Sequence, residues 1–170
     1  MKTISFLRHA KSDWDTPFLN DHARGLSSRG LKNCKSLEKL LGKRDFLADI
    51  AYVSDSRRTM DTYTNLTKEK KICKELVVTH ALYEAEPRAY LESISHTSNS
   101  HKSILFIGHN PGMEIVINTL LKVHLGTYSI FTKYPTLGFC TLQFSTDDWN
   151  DIPSTRGSLS FFWTPEKGGD

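Results

Sequence analysis

Residues 3–12, Thr3-Ile4-Ser5-Phe6-Leu7-Arg8-His9-Ala10-Lys11-Ser12, pass from a short apolar run into an abrupt change of polarity at Arg8. Thr3 to Leu7 reads as a strand. In an open α/β sheet, functional groups gather in the crevice beyond the carboxyl ends of strands, which would put His9 at its rim. An Arg immediately before a His suits phosphate chemistry. The guanidinium fork holds phosphoryl oxygens bidentately, and the imidazole is a nucleophile near neutral pH. On this dipeptide alone a surface or core-edge histidine is the plainer reading, so the rest of the chain has to decide.

At 170 residues the chain suits one domain, spanning 1–170. A domain of this size buries roughly 70% of its unfolded-chain surface and needs no staples. Lys and Arg number 22 against 19 Asp and Glu, a net charge of +3. That balance is too mild for a nucleic-acid binder, which shows a basic stripe or patch, and it fits a small anionic substrate. Cys34, Cys73 and Cys140 are widely spaced and lack zinc-site spacing, so reduced thiols are expected. The apolar N-terminal run is too short for a signal sequence and is cut by Arg8. No stretch reaches the ~18 apolar residues of a membrane span. A soluble, cytoplasmic protein without membrane contact is the expectation.

Further along, Lys11 to Leu26 is a long polar connection, and long ordered loops are often functional. Ser27 or Ser28 caps a predicted helix to about Leu41, with Leu31, Cys34, Leu37, Leu40 and Leu41 on one face. Ile50 to Val53 reads as a second strand, so strand, helix and strand alternate as in a mostly parallel sheet. Residues 68–74 (KEKKICK) read as a solvated connector and Leu76 to Thr79 as a strand. Pro87 to Ser95 reads as a helix and Ser103 to Ile107 as an interior strand. In Gly108-His109-Asn110-Pro111-Gly112, Asn110 is a suitable N-cap and Pro111 a suitable first helical residue. The helix that follows, to Leu121, is expected to bury Ile115, Val116, Thr119 and Leu120. Gly138 to Phe144 and Leu159 to Trp163 close the chain as strands.

Four of these segments carry a resemblance. LRHAKSDW resembles the RHGxSxWN signature of the histidine phosphatase (phosphoglycerate mutase-like) superfamily, and is closest to its small SixA-like, phosphohistidine phosphatase branch. Arg8, His9, Ser12 and Trp14 match, while Ala10 replaces Gly and Asp15 replaces Asn. DHARGLSSRG resembles the DxxRPLxxRG element, matching Asp21, Arg24, Leu26, Arg29 and Gly30, with Gly25 in place of Pro. Residues 54–62 (SDSRRTMDT) resemble S-x-x-x-R-[AT]-x-x-T, aligning Ser54, Arg58, Thr59 and Thr62. GHNPG is the second histidine signature.

The resemblance implies a three-layer α/β/α sandwich with a mostly parallel central sheet, phosphoglycerate mutase-like. It implies catalytic roles for Arg8, His9, Arg58 and His109. Glu84, in an L-x-E context, is the candidate general acid, with Glu86 its rival. Arg24, Ser12 and Asn110 are candidate phosphate or substrate contacts. The register set by Thr62 turns Arg58 inward and leaves Arg57 toward solvent or the substrate rim. Such a density of positive charge needs carboxylate partners or a bound phosphoryl group, and the matching segments supply mainly Asp21, Asp55 and Glu84.

The expected activity is that of a metal-independent phosphatase working through a phosphohistidine on His9, with no cofactor and no metal. A short chain without large insertions suits phosphohistidine carried by a protein. A small phosphorylated metabolite hydrolysed at the same site, as by a phosphomonoesterase, is the alternative. A non-catalytic phosphate-binding module is a third reading, which a nucleophilic histidine argues against.

Overall fold

The structure is a computed structural model that describes residues 1–122 and 131–165. Its centre is a six-stranded sheet in the order β3-β2-β4-β1-β5-β6. The strands are β1 (Lys2–Arg8), β2 (Ala48–Ser54), β3 (Cys73–Thr79), β4 (Ser103–Gly108), β5 (Phe139–Phe144) and β6 (Ser158–Trp163). β1 to β4 are mutually parallel, β5 runs antiparallel to β1, and β6 runs antiparallel to β5. The helices are α1 (Ser28–Lys43), α2 (Arg57–Leu66), α3 (Pro87–Ser95) and α4 (Gly112–Leu120).

Alternation along the strands divides the interior into two cores, because successive side chains point to opposite faces. Ile4, Phe6, Ile104 and Phe106 meet Tyr90 and Ile94 of α3 and Met113, Val116 and Ile117 of α4. Leu7, Val53, Leu105 and Ile107 meet Cys34, Leu37 and Leu41 of α1 and Leu66 of α2. The sheet is thus covered on both faces, the three-layer arrangement expected. All three cysteines are buried and free. Among the described residues no helix is long and apolar enough to cross a membrane.

Four expectations need correction. Strand β3 starts at Cys73 rather than Leu76, because Ala48 pairs with Cys73, and Lys74 bonds Asp49 at 2.7 Å from this exposed edge. In α1 Leu31 faces solvent, and Gly30 is the buried residue of the first turn. A Cβ at Gly30 would lie 2.3 Å from the Lys11 carbonyl, on which the turn rests. In α4 the N-cap is Pro111, preceded by a cis Asn110–Pro111 peptide, and helix begins only at Gly112. The Asn110 amide instead donates to the Tyr134 carbonyl (3.0 Å) and to Glu114 (3.2 Å). α4 buries Met113, Val116, Ile117 and Leu120, while Ile115 and Thr119 face outward. Apolar side chains at 115, 116 and 117 point around the helix, so the pattern alone left its inward face open.

Candidate active site

The two histidines meet because β1 and β4 are neighbours in register. Arg8 pairs with Gly108, the His9 amide donates to the Gly108 carbonyl (3.1 Å), and the two rings stand 5.2 Å apart. His9 is buried, and its Nδ1 lies 2.8 Å from the Ala10 carbonyl. A carbonyl only accepts, so Nδ1 carries the proton and the lone pair stands on Nε2. Burial, reinforced by the Arg58, Arg8 and Arg24 charges, lowers the His9 pKa to about 3. The ring is therefore neutral at neutral pH. Thr62 fixes this stretch from α2, accepting from the Ala10 amide (3.0 Å) and donating to the Arg58 carbonyl (2.7 Å).

Three arginines surround the pair. Arg8 Nη1 donates to the Tyr134 carbonyl at 2.8 Å. Arg58, in the first turn of α2, is buried, and its Nη2 donates to His109 Nδ1 at 3.3 Å. Arg24 arrives from the long loop, also buried, with its guanidinium 3.7 Å from the Trp14 ring centre and a hydrogen bond to Ser12 Oγ.

One carboxylate organises two of these cations. Asp21 accepts from Arg24 Nη2 (2.6 Å) and the Tyr83 hydroxyl (2.8 Å) and pairs electrostatically with Arg58 Nη1 (3.1 Å), which donates its hydrogen bond to the Asp21 backbone carbonyl (2.9 Å). Burial opposes its charge, but the bonds from Arg24 and Tyr83 and the Arg58 charge outweigh it and hold the carboxyl at about 2. Asp55, the other expected partner, turns away to His22 and His80.

His109 follows β4, and its Nε2 lies 2.8 Å from Ser54 Oγ and 3.4 Å from Ser56 Oγ. Burial, with His9 and Arg58 behind it, lowers its pKa to about 3. Close packing positions this segment. A Cβ on Gly108 would lie 2.3 Å from the Tyr90 hydroxyl, and one on Gly112 would lie 1.9 Å from the Ala85 carbonyl.

The eight candidate residues Arg8, His9, Ser12, Arg24, Arg58, Glu84, His109 and Asn110 all line one cavity, with Lys11, Trp14, Asp21 and Thr136. Its volume of about 260 Å³ lies just below the ~300–1,000 Å³ of pockets that enclose a drug-sized ligand. A volume of this size accommodates a phosphoryl group. Four cations (Arg8, Lys11, Arg24, Arg58) face two carboxylates (Asp21, Glu84) across this lining, an excess that suits a dianion. Glu84 is exposed, in a left-handed conformation (φ 47°) between Tyr83 and α3. Glu86 heads α3 outside the lining, and Arg57 pairs with Asp61 at 3.5 Å on the surface. Ser56, Thr136 and the Tyr134 carbonyl join the site without having been candidates, as does Ser54, which aligns in a motif but has no role assigned by it. Thr136 follows Pro135 in a proline-threonine element that also resembles the family's pattern, whereas Ser56 and the Tyr134 carbonyl carry no local signal.

A buried histidine with its lone pair on Nε2, ringed by arginines at the strand ends of a three-layer sandwich, is an arrangement chemically suited to a phosphoryl group. The profile of the histidine phosphatase superfamily (branch 1) matches residues 4–90, and the chain belongs to that superfamily. An uncharacterized protein of Mycobacterium leprae is 26% identical, the match covering 94% of this chain and 99% of the relative. A putative phosphohistidine phosphatase SixA of Agrobacterium tumefaciens superposes with a TM-score of 0.79 at 24% identity, covering 96% of this chain and 99% of the other. A mycobacterial glucosyl-3-phosphoglycerate phosphatase superposes at 0.65 with 15% identity, covering 94% and 97%. At these identities the two structures share the fold with this chain.

Proposed function

We propose that this protein is a phosphatase in which His9 takes the phosphoryl group and water then removes it, with protein-borne phosphohistidine as the substrate. The observation that carries the reading is the bond from His9 Nδ1 to the Ala10 carbonyl, which leaves Nε2 as the free lone pair of a neutral ring in a cationic cavity. Attack of Nε2 on phosphorus forms an N–P bond as the bond to the leaving group breaks. Arg8, Arg24 and Arg58 stabilise charge on the equatorial oxygens. His109 supports them through Arg58: its Nδ1 accepts from Arg58 Nη2, so its Nε2–H donates to Ser54 Oγ, and the ring holds that guanidinium at the cavity. Water then attacks phosphorus, the N–P bond breaks, and orthophosphate leaves.

A cavity that holds little beyond the phosphoryl group, with Lys11, Trp14 and Glu84 among the exposed residues of its lining, suits a leaving group that belongs to a macromolecule. The SixA relationship favours phosphohistidine. A small phosphomonoester in the same cavity is the second reading, favoured by the glucosyl-3-phosphoglycerate phosphatase relationship.

The test is rapid quench with a phosphate-labelled substrate. Label on His9, labile to acid and stable to base, is expected; label on Ser12 or on a cysteine would refute the assignment. Turnover of a phosphohistidine-bearing protein beside a panel of sugar phosphates then decides the substrate, the former being preferred in kcat/KM.

A further inference from the structure

Beside the cavity, on the same edge of the sheet, three side chains converge that the proposed chemistry does not use. β2 and β3 are parallel neighbours with Ser54 paired to Thr79, so Asp55 and His80, each one residue beyond its strand, emerge side by side. His22, in the 3₁₀ turn Asp21–Ala23, comes across to them from the long loop. His22 Nε2 lies 2.9 Å from Asp55 Oδ1, and His80 Nδ1 lies 2.9 Å from Asp55 Oδ2. One ligand atom from each residue falls within 4.8 Å of the others. The Tyr83 ring walls the group, edge-on to His22 at 4.9 Å between centres.

We propose that His22, Asp55 and His80 bind a divalent transition metal of the zinc type at the rim of the cavity. Two imidazoles and one carboxylate are the three-ligand set that holds zinc with a further position open. Ligand atoms about 2.0–2.2 Å from zinc stand roughly 3.3 Å apart in a tetrahedral site. Around Asp55 Oδ1 the imidazole nitrogens of His22 and His80 lie at 2.9 and 3.1 Å, spacings that open by a few tenths of an ångström on binding, and the two nitrogens lie within 4.8 Å of each other. The cleft is open to water, with 37%, 31% and 73% of the three side chains exposed. The competing arrangement is a carboxylate accepting one N–H from each ring, and binding has to displace those protons.

The site ties together the loop, the end of β2 and the turn after β3. Through His22 it fixes the residue next to Asp21, whose carboxylate holds Arg24 and Arg58. The metal therefore braces the loop that carries the arginines, and phosphoryl transfer at His9 is not routed through it.

Chelator-stripped protein, titrated with Zn²⁺ by calorimetry and with Co²⁺ by visible absorption, tests this. Expected are one equivalent bound with micromolar or tighter affinity, Co²⁺ d–d bands, and slower hydrogen exchange over residues 20–24 on adding Zn²⁺. His80→Ala, an exposed position, should weaken binding at least tenfold and abolish that protection, with circular dichroism unchanged. Asp55→Asn should do the same. His9→Ala should bind zinc as the wild type does, which separates this site from the two buried histidines and from any failure of the phosphatase reading. Failure of the wild type to bind Zn²⁺ at micromolar concentration would overturn the proposal. So would equal affinity in wild type and His80→Ala.

Discussion

His9 and His109 stand side by side across the β1–β4 seam, 5.2 Å between ring centres, and both are neutral at neutral pH. Burial is the main cause for each, with arginine charges adding to it. In the unfolded chain each ring titrates near its ordinary value of about 6.5, and in the folded protein near 3. Between those values the unfolded chain binds more protons. Stability is therefore fully present above about pH 6.5 and is lost as pH falls toward the folded values. Thermal melts should show Tm falling from about pH 7 to about pH 5, and less steeply in His9→Asn/His109→Asn. Equal slopes would place the acid sensitivity elsewhere.

Asp21 is the carboxylate that two arginines share, and its removal separates positioning from repulsion. Asp21→Asn keeps the shape but offers a neutral acceptor, and hydrogen bonds to a charged acceptor are roughly twice as strong. Arg24 and Arg58 should lose order, so kcat/KM should fall about tenfold, mainly through KM, the equivalent of about 1.4 kcal/mol. Inhibition by orthovanadate should weaken in parallel. Tighter vanadate binding would mean that Asp21 competes with the substrate instead.

Arg57 and Arg58 are adjacent in sequence and opposite in environment. Arg58 is buried against His109 and Asp21, while Arg57 lies on the surface with Asp61. Arg58→Ala should lower kcat by the ~10²–10³ typical of one preorganised oxyanion donor. Arg57→Ala should be milder and appear mainly in KM. Steady-state kinetics of the two variants check this, and the reverse ranking would contradict the site.

What the sequence made legible follows from where the information is local. Strands β1 and β4 and the starts of α1 and α3 are written in short apolar runs, the Ser27 cap and Pro87 in the first helical turn. The strand-end chemistry of Arg8, His9 and His109 sits in contiguous motifs. The supporting contacts are not local. Ser54 behind His109, the Tyr134 carbonyl on Arg8 and Asp21 across two arginines join residues 37 to 126 positions apart, except for the Asp21–Arg24 pair. Asn110 shows the cost of reading such a residue locally: the Tyr134 carbonyl, 24 residues on, and Glu114 hold its NH2 group, and its Oδ1, the atom that would cap, accepts from no helix amide among the described residues. The His22–Asp55–His80 group draws one residue from each of three segments, a spacing that no zinc motif contains.

Glu84 links mechanism to substrate. It lines the cavity mouth in a left-handed backbone conformation, and such outliers cluster at functional sites. A phosphomonoester leaves as an alkoxide and needs a proton donor in the transition state, a contribution of about 10²–10⁴ in rate. Phosphohistidine can arrive already protonated on its second ring nitrogen and then leaves as neutral imidazole, a far weaker base than an alkoxide. If the protein serves phosphohistidine, the acid matters little for forming the His9 intermediate from that substrate. Glu84→Gln should therefore reduce phosphomonoester turnover much more than phosphohistidine turnover. Single-turnover kinetics on both substrates, with phosphorylation of His9 measured apart from its hydrolysis, read this directly. Equal losses in the phosphorylation step would mean that Glu84 shapes the cavity and donates no proton. No loss with either substrate would remove Glu84 from the mechanism, and Glu86, heading α3 outside the cavity lining, would have to reach in by a movement of that turn.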